Sequence, residues 1–176
     1  MTLKVTGQRL ADHLLAQLEA EGRRTRRAIE AVPDGRDDWT PHPRSMPMGR
    51  LTYLVADILA WIAMIVHDES LDLKPADGPR HVPPLMRDRA ERLQVLDGAV
   101  TKAHDALKHT DDEHLMKPWR LLEAGRIVSE QPRHVVIQDT FMHLAHHRGQ
   151  LTVYLRMCNA PVPAIYGPSA DDHRFD

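Results

Sequence analysis

Apolar residues recur three and four positions apart in four long stretches of the chain, as they do along one face of an α-helix. Leu10, Leu14 and Leu18 show this spacing in the first stretch, and Leu96 and Val100 show it in the third. The predicted helices cover residues 5–31, 47–69, 85–108 and 133–158. Four long helices with little strand predict an all-α fold, built as a four-helix bundle.

The connections between the later helices are long. Residues 71–84 are interrupted by four prolines, which prevent a helix there, and residues 109–132 separate the third helix from the fourth. Connections of this length permit crossovers, so the helices need not follow a simple up-down-up-down order. Within the second connection, the segment WRLLEAGRIVSE (119–130) has two short runs around Ala124-Gly125, which predicts a short β-hairpin or an irregular excursion packed on the helices.

Length and composition are typical of one domain. The 176 residues predict a single unit, 1–176, with a helical core at about 5–158 and a polar surface tail at 159–176. No apolar run reaches 18 residues and the N-terminus lacks a secretory pattern, so we expect neither a membrane span nor export. The single cysteine, Cys158, excludes an internal disulfide and indicates a cytoplasmic protein.

The charge balance argues against nucleic acid as a partner. The chain has 23 basic and 25 acidic residues, so it has no surplus of positive charge to neutralise phosphates. The charged start of the third helix (87–92) predicts a solvated outer face. The unusual count is 12 histidines. Histidine is the commonest transition-metal ligand, although most of these side chains stand in polar contexts where we expect them to be solvated.

His143 and His147 are the strongest candidates for chemistry. Residues four apart lie about 40° apart around a helix axis, so both rings project from one face and are able to share an ion. They fall on a stripe with Thr140 and Leu151 that we expect to face the bundle interior. Two buried imidazoles need a partner, and a divalent metal would supply it. The alternative is a coincidental spacing in a histidine-rich chain.

His146 is a second possible partner for His143, but it lies about 100° from His147 around the helix and is interpreted as a rim residue. Asp57 is a third candidate ligand, because it falls on the apolar stripe of the second helix, four residues before Trp61. A carboxylate there is costly unless it is paired or coordinated. The alternative is an edge position that reaches solvent, or a salt bridge to an arginine such as Arg148.

Several other motifs are missing from the sequence. It contains no nucleotide-binding glycine loop, nucleophile elbow or HExxH protease motif, and no residue stands out as a general base. Cys158 is interpreted as a packed residue, because nothing near it in sequence would lower the pKa of its thiol. Two imidazoles and one carboxylate would leave open positions on a metal, as expected of a site meant for water or substrate.

These residues resemble the DinB/YfiT-like proteins. The strongest match is HLAHHRGQL (143–151), where the family has histidine, three residues, histidine and then Arg-Gly-Gln. A second match is MGRLTYLVAD (48–57) followed by Trp61, and a weaker one runs from Pro33-Asp34 to Pro43. The resemblance covers roughly residues 10–165. It implies an up-up-down-down bundle, frequent homodimers and a three-ligand metal site.

The resemblance assigns two ligands to His143 and His147. The family's third ligand is usually a histidine on the second helix, where this chain has Asp57. Either Asp57 substitutes as an oxygen ligand, which we favour, or the site is degenerate. Arg148 and Gln150 are interpreted as structural contacts, and Gly149 as the site of a close helix approach that offsets its helix cost.

Two classes of function follow. The first, which the resemblance to DinB/YfiT-like proteins implies, is a metal-dependent enzyme of the thiol-transferase or hydrolase type. It would use Zn, Ni, Fe or Mn, a low-molecular-weight thiol and a small-molecule substrate, with Trp61 and Tyr154 lining the pocket. The second is a non-catalytic metal-binding or stress-associated oligomeric bundle. An open coordination site would indicate the enzyme, and a filled shell or no metal would indicate the other.

Overall fold

The computed structural model describes residues 9–76, 84–85 and 88–175. The fold is mostly helical with one small sheet. The helices are α1 (Leu10–Glu30), α2 (Met48–Asp57), α3 (Ala60–His67), α4 (Arg89–Lys108), α5 (Asp112–Met116) and α6 (Arg133–Met157). The strands are β1 (Ser70–Asp72), β2 (Pro118–Glu123) and β3 (Arg126–Pro132). All four predicted helical stretches are therefore confirmed as helix, while the predicted start at residues 5–8 lies outside the described residues.

The second predicted helix is divided, which the sequence did not indicate. α2 ends at Asp57 and α3 begins at Ala60, with a bend of 46° between them. Both sides of the bend are apolar and buried, including Ile58 and Leu59 at the break itself. Among the described helices, none is alone long and apolar enough to cross a membrane, although α2 and α3 taken together pass that test by length and composition.

The third predicted helix begins later than expected, and its first turn is exposed, as predicted, except at Arg92. It starts at Arg89, where the Asp88 side chain caps it by accepting from the backbone N–H of Glu91 at 3.1 Å. Arg92 was predicted to be solvated, but its side chain is 1% exposed and paired with the buried carboxylate of Asp37. The prediction failed because the partner comes from a distant loop. Arg87 lies outside the described residues.

The β-hairpin predicted near 119–130 is confirmed. β2 and β3 pair antiparallel around Ala124 and Gly125, whose positive φ angles of 52° and 76° make a tight turn. A third strand, β1, lies parallel to β2 within residues predicted as loop. The carboxylate of Asp72 joins β1 to the turn, because it accepts from the backbone N–H groups of Ala124 at 3.0 Å and Gly125 at 2.7 Å.

The core lies between the long helices. α4 packs against α1, α2 and α3, and α6 packs against the same three helices. Large buried side chains fill the space, among them Leu18, Ile29, Leu51, Ile62 and Leu96. This packing places the bend between α2 and α3 in contact with both α4 and α6. The up-up-down-down order of a four-helix bundle stays a prediction.

The tail after α6 is not a simple surface tail. Ala160 and Ala164 are buried, and the side chains of Asp171 and Asp172 accept from the backbone N–H groups of Val162 at 2.9 Å and Ala164 at 3.0 Å. These contacts fold the tail back on itself against the helices. Most residues of the tail are exposed or partly exposed, and its polar composition reflects local carboxylate–backbone bonds as well as contact with water.

Candidate metal centre

The two histidines singled out by spacing meet on α6. The Nε2 atom of His143 lies 2.8 Å from the Nε2 atom of His147, and the ring centroids are 4.6 Å apart. Both side chains are partly buried. A hydrogen bond of this length requires one ring to donate and the other to accept, so the pair holds one hydrogen between two converging nitrogen atoms.

Burial keeps the His143 ring neutral. Desolvation lowers the pKa of His143 below its ordinary value of 6.5, and the positive charges that His147 and His146 would carry lower it further. A neutral imidazole is the form that binds a metal. Two nitrogen ligands of a tetrahedral zinc ion, each at 2.0–2.1 Å, lie roughly 3.3 Å apart, so a small ring rotation would suit this pair to an ion.

A glutamine from the same helix completes the cluster. The Oε1 atom of Gln150 lies 2.8 Å from Nδ1 of His147, and its Nε2 atom lies 3.0 Å from Nε2 of His146. His146 is exposed, as predicted for a rim residue, and its ring centroid lies 5.0 Å from that of His147. Gln150, interpreted from sequence only as a structural contact, therefore touches two of the three histidines.

One of the two aromatic residues predicted to line the pocket contacts the histidine pair. Trp61 of α3 packs edge-on against His143, with ring centroids 5.2 Å apart. Tyr154 was also predicted to line the pocket. Its ring instead packs against Trp39 at 5.3 Å, and its hydroxyl donates to the carbonyl of Met46 at 3.2 Å. Trp61 thus contacts a candidate ligand directly, while Tyr154 holds the loop that precedes α2.

Asp57, the third candidate ligand, lies at the C-terminal end of α2. Its side chain is partly buried and lines a cleft of about 420 Å³ between α2 and α4, beside Tyr53, Glu91 and Lys102. Desolvation raises the pKa of Tyr53, and the Asp57 carboxylate raises it further. Within the described ranges, no three His, Cys, Asp or Glu side chains converge on one point. The structure therefore brings His143 and His147 together and directs Asp57 toward α4.

Arg148, between the two motif positions His147 and Gly149, faces the opposite way. Its guanidinium is 1% exposed and donates to Oε2 of Glu21 at 2.5 Å and to Oγ1 of Thr25 at 3.0 Å. Tyr166 of the tail adds its hydroxyl to the same cluster. The structural interpretation of Arg148 is confirmed, and the salt bridge considered between Asp57 and Arg148 is replaced by one to Glu21.

Gly149 has no close neighbour. A β-carbon built at this position meets no described atom within 4 Å beyond its own helix, and the residue is exposed. The predicted close helix approach at Gly149 is therefore wrong within the described chain. The expectation for two further histidines also needs correction, since His114 and His134 are partly buried, and their ring nitrogens bond the carbonyls of Val66 and Leu115.

Comparisons with known proteins agree with this architecture. The chain is similar to the uncharacterized protein YrdA of Bacillus subtilis, with 24% identity over 161 residues that make up 92% of this chain and 90% of the relative. It is also similar in structure to a DinB-like protein from Bacillus cereus, with a TM-score of 0.68, 19% identity, and coverage of 88% of this chain and 97% of the other.

A second solved structure, a DinB-like protein of Bacillus subtilis named YjoA, gives a TM-score of 0.62 at 14% identity and covers 84% of this chain and 92% of its own. At these identities the two structures show the fold alone. A family profile described as the DinB family matches residues 1–174. Because that match spans nearly the whole sequence, the chain belongs to the DinB family.

Proposed function

We propose that this protein is a divalent-metal-dependent enzyme whose ion is held by His143, His147 and Asp57. The observation that carries the proposal is the convergence of the two Nε2 atoms, 2.8 Å apart, from rings on one face of α6. Burial lowers the pKa of His143 and so favours its neutral ring, which is the form that binds a metal. Both rings are partly buried, so they are not sealed in the core.

The role of Asp57 is supported by its place in the chain. Trp61 touches His143, and Asp57 precedes Trp61 by four residues across the bend between α2 and α3. The bend therefore lies beside the histidine pair. Because the Asp57 side chain lines the cleft toward α4, its carboxylate must rotate toward α6 to serve as a ligand.

A set of two imidazoles and one carboxylate suits Zn, Ni, Fe or Mn. When bound, such an ion supplies the positive charge that lowers the pKa of a coordinated thiol or water. The chemistry that we propose is transfer of a low-molecular-weight thiol to a small-molecule electrophile, or hydrolysis. The chain's own contribution is to hold neutral rings in convergent positions, and to exclude water from one side of His143 with Trp61.

A second candidate function is a non-catalytic bundle with a degenerate metal site. It is favoured by the lack of any converging group of three His, Cys, Asp or Glu side chains among residues 9–76, 84–85 and 88–175. Screening thiols against electrophiles with the metal-loaded protein distinguishes the two candidates. Turnover that disappears on chelation identifies the enzyme, and stoichiometric metal with no turnover favours the non-catalytic bundle.

The metal assignment itself is tested by elemental analysis of protein purified without a histidine tag. We expect one divalent ion per chain in the wild type and its loss in His147→Ala, with the helical circular dichroism retained. His13→Ala removes an exposed histidine of α1 and serves as the control. Equal metal content in His147→Ala and His13→Ala would contradict the assignment.

We also propose a homodimer, in which the outer face of α6 meets a second copy of the chain. This face exposes Met142, Val153 and Met157. If the two copies of α6 pack antiparallel and cross at Gly149, Met142 of one copy lies opposite Met157 of the other. The reason is that the two residues are at nearly equal distances from Gly149 along the helix. The open space above Gly149 allows the helices to approach closely, and Asp139 and Arg156 lie at opposite ends of the face.

A further inference from the structure

Gln150 lies within hydrogen-bonding distance of both His147 and His146. It follows His147 by three residues and His146 by four, so one side-chain conformation reaches both rings from the same helix face. We propose that Gln150 is a positioning residue that fixes His147 as the Nδ1–H tautomer. The consequence for metal binding rests on the function proposed above, whereas the tautomer itself does not.

The hydrogen-bonding capacities of the amide give the argument. An amide oxygen only accepts and an amide nitrogen only donates. With Oε1 at 2.8 Å, Nδ1 of His147 must carry the hydrogen, and with the amide nitrogen at 3.0 Å, Nε2 of His146 must offer a lone pair. Gln150 therefore holds two neutral rings in defined tautomers through one side chain.

The same constraint reaches His143. Since Nδ1 of His147 holds the hydrogen of that ring, its Nε2 atom is a lone-pair acceptor, and the hydrogen in the 2.8 Å contact belongs to Nε2 of His143. The unprotonated Nε2 of His147 thus points into the space between the rings before any ion arrives. Second partners that fix a histidine ligand in this way typically raise metal affinity by about 10–100-fold.

The tautomer is read directly from nitrogen-15 NMR of histidine-labelled, metal-free protein at mildly alkaline pH, where the rings are neutral. His147→Ala assigns the signals. In the wild type we expect a protonated-type shift at Nδ1 of His147 and an unprotonated-type shift at Nε2. A hydrogen on Nε2 of His147, which the reversed amide of Gln150 would produce, overturns the proposal.

Three variants extend the test. Gln150→Leu removes the acceptor and should shift His147 toward the Nε2–H form, whereas Gln150→Glu keeps an acceptor oxygen and should preserve the Nδ1–H form. Gln138→Leu makes the same change elsewhere on α6 and should leave the spectrum of His147 as in the wild type. An unchanged His147 signature in Gln150→Leu, with thermal unfolding showing a folded protein, would overturn the proposal.

Isothermal titration calorimetry with zinc separates this inference from the proposed function. We expect the affinity of Gln150→Leu to fall about 10–100-fold and that of Gln150→Glu to stay near the wild type. If the wild type binds no zinc, the metal function fails while the NMR result still decides the tautomer. If the wild type and Gln150→Leu bind zinc equally well, the positioning role fails while the metal function stands.

Discussion

Arg148 and Glu21 form a buried ion pair between α6 and α1, with Nη2 and Oε2 2.5 Å apart and side chains only 1% and 6% exposed. Arg148 follows His147 directly in α6. One of these adjacent residues anchors the helix to α1, and the other faces the candidate metal centre. The pair thereby fixes the rotation of α6 about its axis. That rotation decides where the rings of His143 and His147 point.

Replacing Arg148 with methionine should destabilise the fold, because it leaves the buried Glu21 carboxylate with Arg24 as its remaining charged partner. Breaking a buried pair in this way costs about 3–5 kcal/mol. Urea unfolding measures the loss, and Arg26→Met, which removes an exposed pair to Asp97, should cost about 1 kcal/mol or less. Equal losses in the two variants would show that the buried pair is not an anchor.

Gly149→Ala should raise the free energy of unfolding of the single chain, at protein concentrations where the proposed dimer dissociates, by about 1 kcal/mol, because glycine costs that much in a helix interior and the added methyl group meets no described neighbour. Thermal or urea unfolding measures it. Gly22→Ala is the contrasting variant, since its β-carbon would stand 3.2 Å from Cγ2 of Val100 and should not stabilise. Destabilisation of the single chain by Gly149→Ala would contradict this expectation, whereas destabilisation seen only in the dimer would support close packing of the two helices at Gly149.

The state of assembly tests that face separately. We expect light scattering to give twice the 20.0 kDa of one chain for the wild type and about the mass of one chain for Val153→Glu, because a charge in an apolar interface costs desolvation. Thr101→Glu, on an exposed position of α4, should leave the dimer intact. A wild-type monomer, or a dimer that survives Val153→Glu, contradicts pairing through α6.

The stability of the metal-free protein should fall as the pH drops below 6.5. The pKa of His143 is lowered in the folded state, so the unfolded chain binds this proton first. The contribution is therefore present above the ordinary value of 6.5 and is lost as pH falls from there toward the lower folded-state pKa. Urea unfolding across this range measures it, and His143→Gln should flatten the dependence. An equally steep dependence in His143→Gln would assign it to other groups.

Asp57→Asn keeps the size of the side chain and removes its charge. If Asp57 is the third ligand, the variant should lose at least about 1.4 kcal/mol of binding free energy, a tenfold weaker zinc affinity. Glu91→Gln removes the other carboxylate of the same cleft and should bind zinc as the wild type does. Equal zinc affinities in the wild type, Asp57→Asn and Glu91→Gln would show that Asp57 is not a ligand and that the third ligand lies elsewhere.

The sequence predicted the helices well because their apolar spacing reports directly which face is buried. It did not predict the division between α2 and α3, since Ile58 and Leu59 include no glycine or proline that would mark a break. The burial of Arg92 was missed for a related reason. A charged residue near a helix start looks solvated until a distant partner, here Asp37, is brought to it by the fold.

The site shows the same limit. The pairing of His143 and His147 follows from local helix geometry and was predicted from spacing alone. The position of Asp57 depends on tertiary packing, because α2 lies between α4 and α6 and an inward-facing residue is able to face either. An apolar stripe records that a side chain is buried but not which neighbouring helix it meets. Gln150 was recognisable only by its three- and four-residue spacing from two histidines.

The Asp72 carboxylate has a consequence for the order in which the chain folds. It bonds Ala124 and Gly125, which lie 52 and 53 residues further along, and the intervening chain includes all of α4. Closing so long a loop costs entropy that local contacts cannot repay. We therefore expect β1 to reach its register late in folding, after the long segment that contains α4 has become ordered.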